Sequence, residues 1–154
     1  MKRLFSSAAA LAIVGLVVFS STAFAQAGDT APLVDPNTAA EKELVALPNM
    51  TAAIVKGLIA KRPFKTPIDL DTYLKSQSLT PEQLTAFYGK AFVKIKLNTA
   101  TRDEILLVPG AGNRMAREFA EYRPWKTQAQ FEKEIGKYVG AQETARLWKY
   151  VTID

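Results

Sequence analysis

The 154-residue sequence predicts an all-α mature protein, made of two consecutive copies of one small helical unit behind an N-terminal export signal. Three observations carry this expectation. The chain repeats itself at a constant offset, its apolar residues fall at helical spacing between capping and stop signals, and the segment 1–25 has the make-up of a signal peptide.

Two anchors define the repeat. Asn37-Thr38-Ala39 falls on Asn98-Thr99-Ala100, and Arg62-Pro63-Phe64-Lys65-Thr66 falls on Arg123-Pro124-Trp125-Lys126-Thr127. Between them Glu43 matches Glu104 and Pro48 matches Pro109 without a gap. This is the signature of a tandem duplication, with unit 1 over 37–96 and unit 2 over 97–154.

Each unit reads as four short helices. In the first, Thr101 and Glu104 form a capping box ahead of Ile105 and Val108, while unit 1 offers Thr38 and Glu41 one turn earlier. The second carries Ile54 and Leu58, or Met115, Phe119 and Tyr122, and stops before Pro63 or Pro124, since a residue preceding proline is pushed out of the helical region. The third places Leu70 and Leu74 in register with Phe131 and Ile135. The fourth opens at Thr80-Pro81-Glu82-Gln83 and sets Leu84 and Phe87 against Ala145 and Trp148. Short extended stretches, Phe92–Ile95 and Tyr150–Ile153, end the units and can pair as brief strands.

The N-terminus explains the compartment. Lys2 and Arg3 precede the apolar run Leu11–Phe19, and Ala23-Phe24-Ala25 supplies an A-x-A site, so cleavage is expected after Ala25 with delivery to the periplasm or the outside. The run is too short to cross about 30 Å of hydrocarbon. The stretch 26–36, with two prolines and no apolar periodicity, reads as a flexible lead-in. Without the signal, 18 Lys plus Arg face 15 Asp plus Glu, a net charge of +3, so any affinity for nucleic acid depends on local placement.

The chain has no cysteine and no histidine. That excludes disulfides, thiol nucleophiles, histidine bases and the usual zinc or haem sites. No catalytic residue, metal, cofactor or small-molecule substrate is expected, and the reading is of a non-enzyme.

One turn stands apart. Val108-Pro109-Gly110-Ala111-Gly112-Asn113-Arg114 joins the first two helices of unit 2. Two glycines one residue apart free the backbone for positive φ and bare its N–H groups, and the helix that follows points the positive end of its dipole at the same spot. Arg114 and Arg117 lie in its first turns. The flanking basic candidates are Arg123, Lys126 and Lys137, although Arg62, Arg123, Lys65 and Lys126 also suit helix C-termini. Phe64 and Trp125 read as core plugs.

Taken together, Asn98-Thr99-Ala100, Glu104-Ile105, Val108 to Gly112, Tyr122-Arg123-Pro124-Trp125 and Tyr150 to Ile153 resemble the helix-hairpin-helix domain of the ComEA family of competence DNA-uptake proteins. The resemblance implies small helical domains of the SAM and helix-hairpin-helix kind. It also implies sequence-independent binding of double-stranded DNA, with the amides of Gly110, Ala111 and Gly112 on the phosphate backbone and Arg114 beside them. At the second hairpin of unit 2 Gly140 remains, but Tyr138 replaces a glycine. Unit 1 has Asn49-Met50-Thr51 and Ser78-Leu79-Thr80 at its two hairpins, where Asn49 tolerates left-handed backbone while Met50 and Thr51 put side chains in a phosphate's path. A second reading is a protein-docking adaptor, because the Ser78–Gln83 stretch is similar to a hairpin of the extrinsic photosystem II subunit U. A DNA glycosylase would need a base-flipping domain for which no residues remain.

Overall fold

Threonine hydroxyls start most of the helices. A computed structural model describes residues 31–153, so the signal peptide expected over 1–25 lies outside the described residues. The chain there is mostly helical: α1 (Glu41–Val45), α2 (Ala52–Ala60), α3 (Pro67–Ser76), α4 (Pro81–Tyr88), α5 (Arg102–Leu106), α6 (Asn113–Glu121) and α7 (Gln128–Trp148), with two-residue strands β1 (Ile95–Lys96) and β2 (Val151–Thr152). Thr51, Thr66, Thr80, Thr101 and Thr127 each accept the N–H of the third residue of their helix. At α1 the Glu43 carboxylate accepts the Ala40 N–H at 2.8 Å. The box expected from Thr38 and Glu41 does not form, because α1 begins at Glu41 with Ala40 as the residue before it, and the Thr38 hydroxyl, outside the helix, donates to Asp35. No helix among the described residues is long and apolar enough to cross a membrane.

The offset seen in the sequence relates α1 to α5 and α2 to α6 end to end. Past the third helix it fails. In the second half, α7 runs through both expected helices and is broken only at Gly140, whose φ is 78°. Thr144 and Leu147 are buried there, in the places Leu84 and Phe87 take in the first half, while Ala145 is exposed and Trp148 half-buried. The register beyond the break is therefore one position shorter, which corrects the alignment of Leu84 and Phe87 with Ala145 and Trp148.

Both halves close by the same device, a parallel pairing of the entering and leaving chain. Val34 pairs with Ala91, its N–H donating to the Lys90 carbonyl at 2.9 Å while its own carbonyl accepts from Phe92 at 3.1 Å. β1 pairs with β2, matching Ile95 to Val151 and Lys96 to Thr152. These main-chain bonds bring Val34 out of the lead-in expected over 26–36 and into the fold. They also place Ile95 and Lys96 with the second half, ahead of the boundary expected at 96/97.

The two sequence anchors explain themselves as a clamp. The Asn98 side chain donates to the Trp125 carbonyl at 3.0 Å and accepts the Trp125 N–H at 2.7 Å. Asn37 does the same to Phe64, at 2.9 and 2.7 Å. Across from each, Arg123 donates to the Leu97 and Ala100 carbonyls at 2.8 and 2.5 Å, and Arg62 to those of Pro36 and Ala39 at 2.7 and 2.8 Å. The arginines thus bind the entering chain, where the sequence suggested helix-dipole compensation or phosphate. The Arg62–Pro63 and Arg123–Pro124 peptides are cis. Phe64 and Trp125 are buried plugs as expected, and the Trp125 indole donates to the Phe119 carbonyl at 2.8 Å.

An aromatic ladder joins the halves. Phe87, Tyr88, Phe92 and Tyr150 stack edge to face with centroids 5.8, 5.6 and 5.1 Å apart. Tyr150 donates its hydroxyl to the Tyr88 carbonyl at 3.2 Å, and the Tyr88 hydroxyl donates to buried Asp71 at 2.8 Å. Burial, and then that carboxylate, push the Tyr88 phenol well above its ordinary range.

Asn98→Ala is expected to cost about 1–3 kcal/mol in urea unfolding, since it strands the N–H and carbonyl of Trp125 in a partly buried site. A loss within the scatter of surface substitutions, about 0.5 kcal/mol, would contradict the clamp.

Candidate phosphate-binding hairpin

The link between α5 and α6 holds three residues with different duties. Gly110 sits at φ 80°, the left-handed region that a side chain disfavours. Ala111 is buried and donates its N–H to the Val108 carbonyl at 2.9 Å, so that amide closes the turn and is not presented outward. Gly112 is the residue before α6, at φ −90° and ψ −176°, which is extended backbone open to any residue. What its missing side chain supplies is space. A Cβ there would meet no atom within 4 Å, and no side chain caps α6. The first amides of a helix have no acceptor inside it, so those of Asn113, Arg114 and Met115 face outward with the positive end of the dipole.

The first half supplies an internal comparison. Asn49 holds the left-handed place at φ 62°, and Met50, buried like Ala111, points into the core and out of the path expected for it. Thr51 occupies the position of Gly112, and its hydroxyl accepts the Ile54 N–H at 3.3 Å. One hydroxyl thus fills in the first half the site that Gly112 leaves open in the second. At the remaining turns, Ser78 has φ 62° and Gly140 has φ 78°, and the Gly140 carbonyl accepts the Thr144 hydroxyl at 2.7 Å.

Two arginines lie at the open turn, and a third lies one turn further along α6. Arg102 donates to the Asn113 side-chain oxygen at 2.7 Å. Arg114 lies 4.7 Å over the Tyr138 ring, a cation–π contact that supports its guanidinium. Arg117 is exposed, 3.9 Å from the buried Glu118 carboxylate. The Tyr138 hydroxyl is 2.9 Å from that of Tyr122, and this bond, followed by one to Glu118, raises its phenol. Tyr138 thus buttresses Arg114 where the sequence showed only a missing glycine.

The other expected cations do not join them. Arg123 belongs to the clamp. Lys137 pairs with Glu134 and lies over the Tyr122 ring, an exposed pair in which their mutual hydrogen bond raises the lysine and lowers the glutamate. Lys126 is exposed, its N–H bonded to Gln130, and no contact ties it to the hairpin. The site therefore gathers Gly110, Gly112, Asn113, Arg114 and Arg117.

Sequence reasoning missed Arg146. From α7 it donates to the Pro109 carbonyl at 2.6 Å and holds both Glu143 oxygens at 2.6 and 2.7 Å. The first half has Ala86 in its place, so the repeat carried no signal for it. Beside the hairpin, an open groove of about 530 Å³ runs between the halves, lined among others by Lys75, Leu84, Tyr88, Leu106 and Leu107. Compared with protein families, curated proteins and solved structures, the chain gives no match.

The two glycines should respond oppositely in thermal unfolding. Gly110→Ala is expected to destabilise by about 1–2 kcal/mol, through its left-handed backbone and the Arg146 guanidinium 2.9 Å from the new Cβ. Gly112→Asp is expected to raise stability by a few tenths of a kcal/mol, roughly what a carboxylate cap adds over glycine. Equal losses at both would contradict this division of labour.

Proposed function

We propose that the chain is an exported protein of two helix-hairpin-helix units that binds double-stranded DNA without sequence preference, through backbone phosphates at residues 109–117. The observation that carries this reading is the uncapped start of α6 under Gly110 and Gly112, set against the equivalent start of α2, which Thr51 caps. A phosphate oxygen is the acceptor those amides lack. Arg114, Arg117 and Arg102 add cations at or near the start of α6, and among the described residues none of them is committed to a carboxylate at close range. The first unit stabilises the second and adds no amides of its own.

One intact hairpin makes few phosphate contacts, so affinity is expected to be modest and to fall with salt. Export rests on the signal read in the segment 1–25 and places the binding in the periplasm or outside, where DNA uptake or handling of extracellular DNA is the matching role. No step needs a cofactor, a metal or catalysis. The groove beside the hairpin favours a second reading, an adaptor docking on protein through apolar residues such as Leu106 and Leu107.

A salt series with a short random duplex separates the two. The purified protein is expected to bind at micromolar or tighter Kd in low salt, on the order of other non-specific DNA binders, and to weaken as salt rises. Gly112→Asp, folded and at least as stable, is expected to lose this binding, because its carboxylate caps the amides and repels phosphate. Absence of duplex binding by the unaltered protein at low salt would discard the DNA reading in favour of docking.

A further inference from the structure

We propose that Arg146 is the positioning residue of the hairpin: it aims the Gly110 amide and contacts no phosphate itself. The inference rests on the duplex-binding reading and names a residue on which that site depends. A trans peptide is planar, with its carbonyl and N–H pointing in opposite directions. Pro109 supplies the carbonyl and Gly110 the N–H of one such plane. By holding the Pro109 oxygen at 2.6 Å, the Arg146 guanidinium orients the Gly110 N–H away from α7. The positive φ itself does not depend on Arg146, since Asn49 takes φ 62° in the first half without such a partner; what Arg146 adds is the hold on the Pro109–Gly110 plane.

The guanidinium is itself fixed. Its Nε and Nη2 grip the two oxygens of Glu143, one turn earlier on α7, and its plane lies 5.6 Å over the Tyr150 ring. Tyr150 in turn bonds the Tyr88 carbonyl in the first half. The hairpin's direction is therefore tied to α7 and to the junction between the halves. Glu143 offsets the charge, so what Arg146 contributes is geometry. Its side chain is only 25% exposed, against 68% for Arg117.

Lysine cannot reproduce this arrangement, since one ammonium does not span a carboxylate and a carbonyl as a planar fork does. The test compares Arg146→Ala and Arg146→Lys with the unaltered protein in two ways. The first is the ¹H–¹⁵N spectrum of the free protein. The Gly110 and Gly112 amides are expected to shift or broaden in both variants, while those of α2 and α3 stay in place. The second is the slope of log Kd against log salt with a random duplex. Binding is expected to weaken about tenfold in both, as for a lost charge-assisted bond, with the slope unchanged.

A slope reduced by about one unit in Arg146→Ala but not in Arg146→Lys, with hairpin amides unmoved, would make Arg146 a phosphate ligand and overturn the proposal. So would hairpin amides and affinity that match the unaltered protein in Arg146→Lys, the variant more conservative for folding. If the unaltered protein binds no duplex, the DNA reading falls, and the amide spectra of the free variants still decide whether Arg146 orients the hairpin.

Discussion

The clamp between an asparagine side chain and the backbone after the second helix is the interaction on which each half depends. Asn98 satisfies both main-chain groups of Trp125, while Arg123 returns across the gap to the carbonyls of Leu97 and Ala100. Those bonds fix the entering chain beside the end of α6. Once it is fixed there, Ile95 and Lys96 are placed to pair with β2, and α5 is delivered in the orientation that lets its turn lead into α6. The first half repeats the arrangement with Asn37, Phe64 and Arg62, and pairs Val34 with Ala91. Polar groups far apart in the chain hold the hairpins steady, and the buried aromatic side chains fill the space they enclose.

Given one scaffold used twice, one difference between the halves bears on the site: how they treat the amides at a helix start. Thr51 spends its hydroxyl on the first turn of α2, whereas Gly112 leaves α6 without a cap. A glycine in that place gives up a stabilising bond that five other helices of this chain make through threonine. The sacrifice has a physical rationale if an acceptor arrives from outside, and the surrounding guanidinium groups suit an anionic one. Tyr138 fits the same account. Its ring, at the turn between the two segments of α7, lies under the Arg114 guanidinium and supports it.

Much of this was legible in the sequence, for local reasons. Thr80-Pro81 and Thr101-x-x-Glu104 act on neighbouring amides, and Pro63 and Pro124 act on the residue before them, so spacing alone placed those helix ends. What escaped depends on distance or on small slips in register. Arg62 and Arg123 stand where an arginine also suits a helix dipole, and only the fold shows that they reach back 26 residues. Thr144 with Leu147 and Ala145 with Trp148 are both i, i+3 pairs, so periodicity could not reveal the residue lost at Gly140. In sequence Gly112 is indistinguishable from Gly110 as a source of positive φ, although its backbone is extended and its use is the room it leaves. Arg146 has no counterpart in the first half and lies 37 residues from the carbonyl it binds.

The most direct measurement of the central claim is a ¹H–¹⁵N titration of the purified protein with a short random-sequence duplex. The amides of Gly110 and of Gly112 through Met115 are expected to move first and furthest, with those of Asn49 through Ile54 unchanged at the same duplex concentration. Equal movement at both hairpins, or movement confined to the groove around Leu84 and Leu106, would contradict the assignment of the open α6 start as the phosphate seat.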